Sequence, residues 1–204
     1  MILIKSTQPR HYPRRYRRYY LSLLSLLLTA LLIAPSVFSA QTSDPELLRI
    51  LRNTVNQADS FDDRYDAEVW LLTKSNSLAR FLPDKNRRLE LLRKIHRAAT
   101  KADLQPEIVL ALIEVESHFD PYAVSYAGAQ GLMQIMPFWK KEIGRPDDNL
   151  IDTDTNLFYG CTILKHYLKR EKGRLADALA RYNGSYGQYW YSERVLLAWE
   201  KRWR

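Results

Sequence analysis

Residues 106–119 read Pro106-Glu107-Ile108-Val109-Leu110-Ala111-Leu112-Ile113-Glu114-Val115-Glu116-Ser117-His118-Phe119. A proline whose missing N–H is harmless at a first helical position precedes an apolar run without a breaker, so the stretch predicts an α-helix from Pro106 to about Phe119. At 100° per residue, Val115, Ile108, Phe119, Leu112, Val109 and Ile113 cover one continuous arc. Glu116 falls inside that arc, between Leu112 and Val109. Glu114 falls on the far side beside Ala111 and His118 and reads as an ordinary surface acid.

A carboxylate facing a core is costly when ionised, so the pKa of Glu116 is expected to rise. A raised pKa keeps the proton near neutrality, as a general acid requires. The helix alone leaves two readings open. Glu116 is either a protonated acid poised to donate, or a structural carboxylate paired with a buried base or amide.

The surroundings of this helix also read as helix. Towards the N-terminus, apolar residues at helical spacing predict helices over 44–57 and 62–81, and a third opening at Pro83 and running through Ile95 and Ala98. Residues 102–105 form a short joint. Towards the C-terminus, residues 120–137 hold Gly128 and Gly131 and read as a structured loop, followed by helices over 154–170, 174–182 and 187–201. No series of strands or repeat is visible, so the fold class is all-α.

Charge is unevenly distributed along the 204 residues. Six basic side chains and no acidic one lie in residues 1–39, whereas the rest carries 25 basic against 23 acidic groups. The net charge of +8 therefore belongs to the N-terminal segment, and the remainder lacks the basic face that phosphate binding needs; a nucleic-acid partner is not expected. Arg14, Arg15, Arg17 and Arg18 precede an apolar run from Tyr19 to Ala34, with Ser39 and Ala40 suited to cleavage. The run is shorter than the roughly 20 residues of a spanning helix, which favours a cleaved secretory signal over an uncleaved anchor. The expected organisation is a signal over 1–39, a helical N-terminal region over 40–100 and a catalytic domain over 101–204. The expected location is the periplasm, with inner-membrane association through the N-terminal segment if that segment is retained.

Cys161 is the only cysteine and cannot form an internal disulfide. The histidines (His11, His96, His118 and His166) show no metal-ligand spacing, so neither metal nor cofactor is expected.

Two further blocks decide between the readings of Glu116. Glu116-Ser117-His118-Phe119-Asp120-Pro121-Tyr122-Ala123-Val124-Ser125 is followed by Gly128-Ala129-Gln130-Gly131-Leu132-Met133-Gln134-Ile135-Met136-Pro137. Together they resemble the soluble lytic transglycosylase family, whose SLT domain has a goose-type-lysozyme-like helical fold, and the resemblance spans roughly residues 100–195. A third block departs from it. Ala180-Arg181-Tyr182-Asn183-Gly184 keeps the Tyr-Asn pair of the family's Ala-Tyr-Asn-Ala-Gly but lacks the small residue after it.

The resemblance implies an enzyme that cleaves the β-1,4 bond between N-acetylmuramic acid and N-acetylglucosamine in peptidoglycan. The product carries a 1,6-anhydro-muramic end, and no water is consumed. Glu116 matches the catalytic acid. Ser125, Gln134, Met136, Tyr182 and Asn183 match residues that line the substrate cleft, with Tyr182 near the acid. Met133 and Ile135 are expected to be core. Ordinary glycosidases use two carboxylates. With Glu114 set aside as a surface acid, the only other candidate near Glu116, Asp120, sits beside Pro121 and reads as a helix-ending residue. The alternatives are a lysozyme-like hydrolase of the same bond and a catalytically inactive wall-binding or scaffold protein. The C-terminal aromatics, Tyr191, Trp199 and Trp203 among them, read as core or, for some of them, as flat faces for glycan subsites, and Lys201, Arg202 and Arg204 read as charges favourable to a helix C-terminus.

Overall fold

The computed structural model describes Arg49, Ser60, Phe61 and residues 63–204. The expected signal over 1–39 lies outside these residues, as does the expected helix over 44–57 apart from Arg49. Helix α1, Arg64–Leu78, starts where the carboxylate of Asp63 accepts hydrogen bonds from the backbone N–H groups of Tyr65 and Asp66. Helix α2, Lys85–Lys101, is capped in the same way by Asp84, which accepts from Arg87 N at 2.8 Å. The expected start at Pro83 is therefore two residues early: Pro83 stands before the cap, and its carbonyl accepts from the buried Arg88. Arg88 also donates to Leu82 O and Ser75 Oγ, which ties the α1–α2 turn together.

Helix α3, Pro106–Ser117, has its proline in the first turn as expected. Every residue from Ile108 to Glu114 is buried. An all-round apolar helix is the centre of a small helical domain rather than one of its faces. Helix α4, Trp139–Ile143, was not anticipated. Helices α5 (Thr153–Arg170), α6 (Leu175–Asn183) and α7 (Trp190–Ala198) follow, and α7 runs directly into a π-helical turn, Trp199–Trp203.

One hydrophobic core joins Leu71 and Leu78 of α1, Leu92 and Ile95 of α2, all of central α3, Leu157 and Leu164 of α5, Leu179 of α6, and Tyr191, Val195 and Trp203 at the C-terminal end. The helices before residue 100 thus bury their apolar faces in the same core as those after it. Among the described residues the regular structure is helical, apart from isolated bridges, and no helix is long and apolar enough to cross a membrane.

The loop over 120–137 is shaped by backbone pairing rather than by a helix. Two antiparallel bridges, Val124 with Gln130 and Gln130 with Ile135, fold it back on itself. Gly131 has φ +74°, and a Cβ there would lie 2.4 Å from Asn156 Nδ2. Only glycine meets both conditions. Asn156 of α5 is fully buried: its Oδ1 accepts from Met133 N, and its Nδ2 donates to Gln130 O and Leu150 O, each at 2.8 Å. Gly160, one turn further along α5, leaves room for Met133, whose Sδ would lie 2.2 Å from a Cβ.

Candidate active site

Glu116 occupies the last turn of α3 and is partly buried. The helix stops abruptly behind it. His118 and Phe119 both adopt left-handed backbone, with φ of 52° and 66°. Two successive non-glycine residues there cost on the order of 1–3 kcal/mol each and persist only where their surroundings hold them. Phe119 is held by burial between Phe81 and Trp203, with ring centroids 5.2 and 5.4 Å away. Ser117 holds the other side: its Oγ donates to Leu132 O at 2.8 Å, and Ile113 O lies 3.2 Å from it. The Glu-Ser pair therefore has a physical meaning, since the serine fastens the Gly131–Met136 stretch beside the glutamate.

Tyr191 of α7, itself buried, donates a short hydrogen bond from its hydroxyl to Glu116 Oε1. Burial pushes the Glu116 carboxyl up to about 7, against the opposing pull of the Tyr191 hydrogen bond and of the Arg194 charge. The rise expected from the apolar arc is thus present. Tyr182 and Tyr191 are both pushed well above the ordinary tyrosine value, by burial first and then by the negative charge of Glu116. Both hydroxyls stay protonated near neutrality. Tyr182 donates to Met133 O at 2.8 Å. The structure therefore brings Tyr182 close enough to feel Glu116 but gives the direct hydrogen bond to Tyr191. Tyr191 was missed because it read as one core aromatic among many. The clue was its place on the buried stripe Tyr191, Val195 and Ala198, where a hydroxyl must find a partner.

Glu114 is not the surface acid expected from the helical wheel. It is 7% exposed and accepts from Arg202 Nε at 2.7 Å, from Arg202 Nη2, and from Trp203 Nε1 at 2.7 Å. The π turn folds over this side of α3, so a face that a lone helix would leave wet is covered. Arg202 consequently acts as the partner of Glu114 and not as a free charge at a helix end. Lys74 Nζ donates to Trp203 O at 2.6 Å and secures the same turn to α1.

The other candidate residues fall on the same loop and on the end of α6. Ser125 Oγ accepts from Ala129 N at 3.0 Å, beside the turn at Gly128. Gln134, in left-handed backbone, spends both hydrogens of its amide nitrogen on Ala123 O and Gly131 O. Its amide oxygen remains available as an acceptor. Met136 is partly buried, whereas Met133 and Ile135 are core as expected. Asn183 is exposed as the last residue of α6, and Gly184 closes that helix in left-handed conformation. Arg181, just before the Tyr-Asn pair, pairs with the buried Glu171 and lies over the Tyr186 ring.

Asp120 is exposed and accepts from Tyr122 N at 2.9 Å in a turn; the helix it was expected to end stops earlier, at Ser117. Among the described residues no three His, Cys, Asp or Glu side chains are placed to hold a metal ion. Cys161 is buried, and its thiol is pushed up to about 12 by burial, so it is unreactive.

A family model described as the transglycosylase SLT domain matches residues 93–194. A membrane-bound lytic murein transglycosylase F from Desulfosudis oleivorans is 35% identical over 99 residues, covering 46% of this chain and 21% of that protein. A transglycosylase from Enterobacteria phage PRD1 is 34% identical over 94 residues, covering 46% of this chain and 34% of the relative. The chain thus spans about a third or less of the length of these relatives. The 70 kDa soluble lytic transglycosylase of Escherichia coli superposes with a TM-score of 0.44 at 20% identity, over 76% of this chain and 29% of that one.

Proposed function

Because the chain belongs to the transglycosylase SLT domain family, we propose that it is a lytic transglycosylase of peptidoglycan, with Glu116 as acid and then base. The observation that carries this reading is a single carboxyl group, held at about 7 by burial and fixed by Tyr191, with no second carboxylate free to assist it from the same stretch. Glu114 is locked to Arg202, and Asp120 is engaged in a turn.

One carboxyl group suffices when the nucleophile is internal to the substrate. Protonated Glu116 gives its proton to the glycosidic oxygen as the bond from the muramic C1 to that oxygen breaks. The resulting carboxylate takes the proton of the muramic C6 hydroxyl as the new C1–O6 bond forms. Glu116 ends protonated, and no water enters. A pKa near the working pH suits a group that must give and then take the same proton. Tyr191 steadies the carboxylate between the two steps. Ser125 can still donate its hydroxyl proton, Gln134 can accept from a sugar hydroxyl, and Met136, Tyr182 and Asn183 complete the wall of the cleft.

In this reading residues 1–39 serve export, residues 40–100 form the helical N-terminal region, and residues 101–204 carry catalysis in the periplasm. The basic flank and apolar run of the N-terminal segment support export, as does the F-type relative, which is a membrane-bound enzyme by name. Fractionation of cells producing the chain tests it, together with N-terminal sequencing of the mature form.

The activity is tested by incubating the full chain with purified sacculi and weighing the released fragments. Anhydro-muramic ends support the lytic reading. Reducing ends, heavier by one water, would replace it with a hydrolase. Binding without release would replace it with a wall-binding protein.

A further inference from the structure

Across Val115 from Glu116, the end of α3 and the C-terminal helix enclose a concavity of about 270 Å3. Its floor is the Glu114–Arg202 ion pair, and its walls carry His118, Arg194, Leu197 and Lys201. Arg194, Leu197 and Lys201 follow each other at three and four residues and so form one stripe, cationic at both ends and apolar in the middle. Arg194 and Lys201 are exposed, and neither is in a hydrogen bond or an ion pair with the described residues. Leu197 is 50% exposed. With Glu114 already paired with Arg202, the lining of the concavity carries two further positive charges, Arg194 and Lys201. Arg194 stands one turn beyond Tyr191, the residue that grips Glu116, and its charge reaches Glu116.

We propose that this concavity is a subsite for a carboxylate of the peptide side chains borne by the glycan strand being cut. The inference rests on the reading of the chain as a peptidoglycan-cleaving enzyme. Each muramic residue carries its peptide through the lactyl group, so a strand seated with a muramic acid at Glu116 brings an acidic peptide to the flank of the cleft. That peptide offers free carboxylates and short aliphatic side chains. Those are the two chemistries that a stripe of Arg194, Leu197 and Lys201 complements. The subsite would make peptide-bearing strands preferred over bare ones without taking part in the bond breaking.

The test uses the full chain and three substrates: sacculus-derived strands with free-acid peptides, the same strands with the peptide carboxylates converted to amides, and strands stripped of peptide by an amidase. For the wild type, KM on free-acid strands is expected to be lower than on amidated strands by about fivefold, the scale of two partly exposed ion pairs. For Lys201→Gln combined with Arg194→Gln, that difference is expected to vanish while the circular dichroism spectrum stays unchanged. Equal KM of the wild type on free-acid and amidated strands overturns the inference, as does a difference that survives in the double variant. Retention of Glu116→Gln on the same three substrates reads the subsite without turnover. A chain that retains free-acid strands selectively but cuts none of the three keeps this inference and overturns the lytic reading. A chain that cuts all three alike does the reverse.

Discussion

Tyr191 and Glu116 lie 75 residues apart in the chain and meet through one hydrogen bond, from the tyrosine hydroxyl to Glu116 Oε1. The bond favours the ionised carboxylate, whereas burial favours the protonated one, and burial is the larger of the two. Tyr191→Phe should therefore move the alkaline limb of the pH–kcat/KM profile to higher pH. It should also lower the neutral rate by about 10- to 100-fold, as expected for losing a hydrogen bond to a charged group. A profile that keeps its limb, with the rate unchanged, would remove Tyr191 from the mechanism.

Replacing Glu116 with Gln should abolish turnover, with a loss of about 10²- to 10⁴-fold from the acid–base role alone. Retention on sacculi should persist, because the amide keeps the shape of the carboxyl. Release assays and co-sedimentation separate the two effects.

The same substitution should have a pH-dependent effect on stability. The Glu116 carboxyl is raised from an ordinary 4.5 to about 7, so between those values the folded chain holds a proton that the unfolded chain has lost. Stability from this group is full below 4.5, declines as pH rises towards 7 and is gone above it, by about 3 kcal/mol at most. Glu116→Gln should therefore match the wild type near pH 4 and exceed it near pH 8 in denaturant melts. Parallel curves at both pH values would contradict the raised carboxyl.

Removing the guanidinium of Arg202 leaves Glu114 buried with only the Trp203 ring nitrogen as donor. Arg202→Ala should cost about 3 kcal/mol, the lower end for breaking a buried pair. Combining it with Glu114→Gln should recover part of that loss, because no uncompensated charge then remains. Urea titration of the two single variants and the double variant measures the coupling. Additive losses would mean that the pair is not a unit.

Asn156→Ala deletes three hydrogen bonds at a fully buried site and should cost about 3 kcal/mol at roughly 1 kcal/mol each. Two of the three hold residues 130 and 133, so the activity lost should exceed what unfolding explains. Comparing kcat well below the melting temperature with the folded fraction checks this.

Local pattern was enough for several features. The helical class of the described residues, the start of α3 at Pro106 and the apolar setting of Glu116 are readable because each depends on near neighbours: a proline's geometry and a 100° periodicity. The spacing of Glu116, Ser117, Ser125 and the Gly131–Met136 run was readable too, as one contiguous motif. Tertiary structure alone decided what faces those residues. The periodicity that set Glu116 towards a core also set Glu114 towards solvent, and only the return of the π turn Trp199–Trp203 buried it. The stripe that Tyr191 shares with Val195 and Ala198 marks it as buried, but neither it nor Asn156 shows locally which group it meets, because their partners lie on other elements. A hydroxyl or an amide becomes decisive only when folding removes water and leaves it one partner to find.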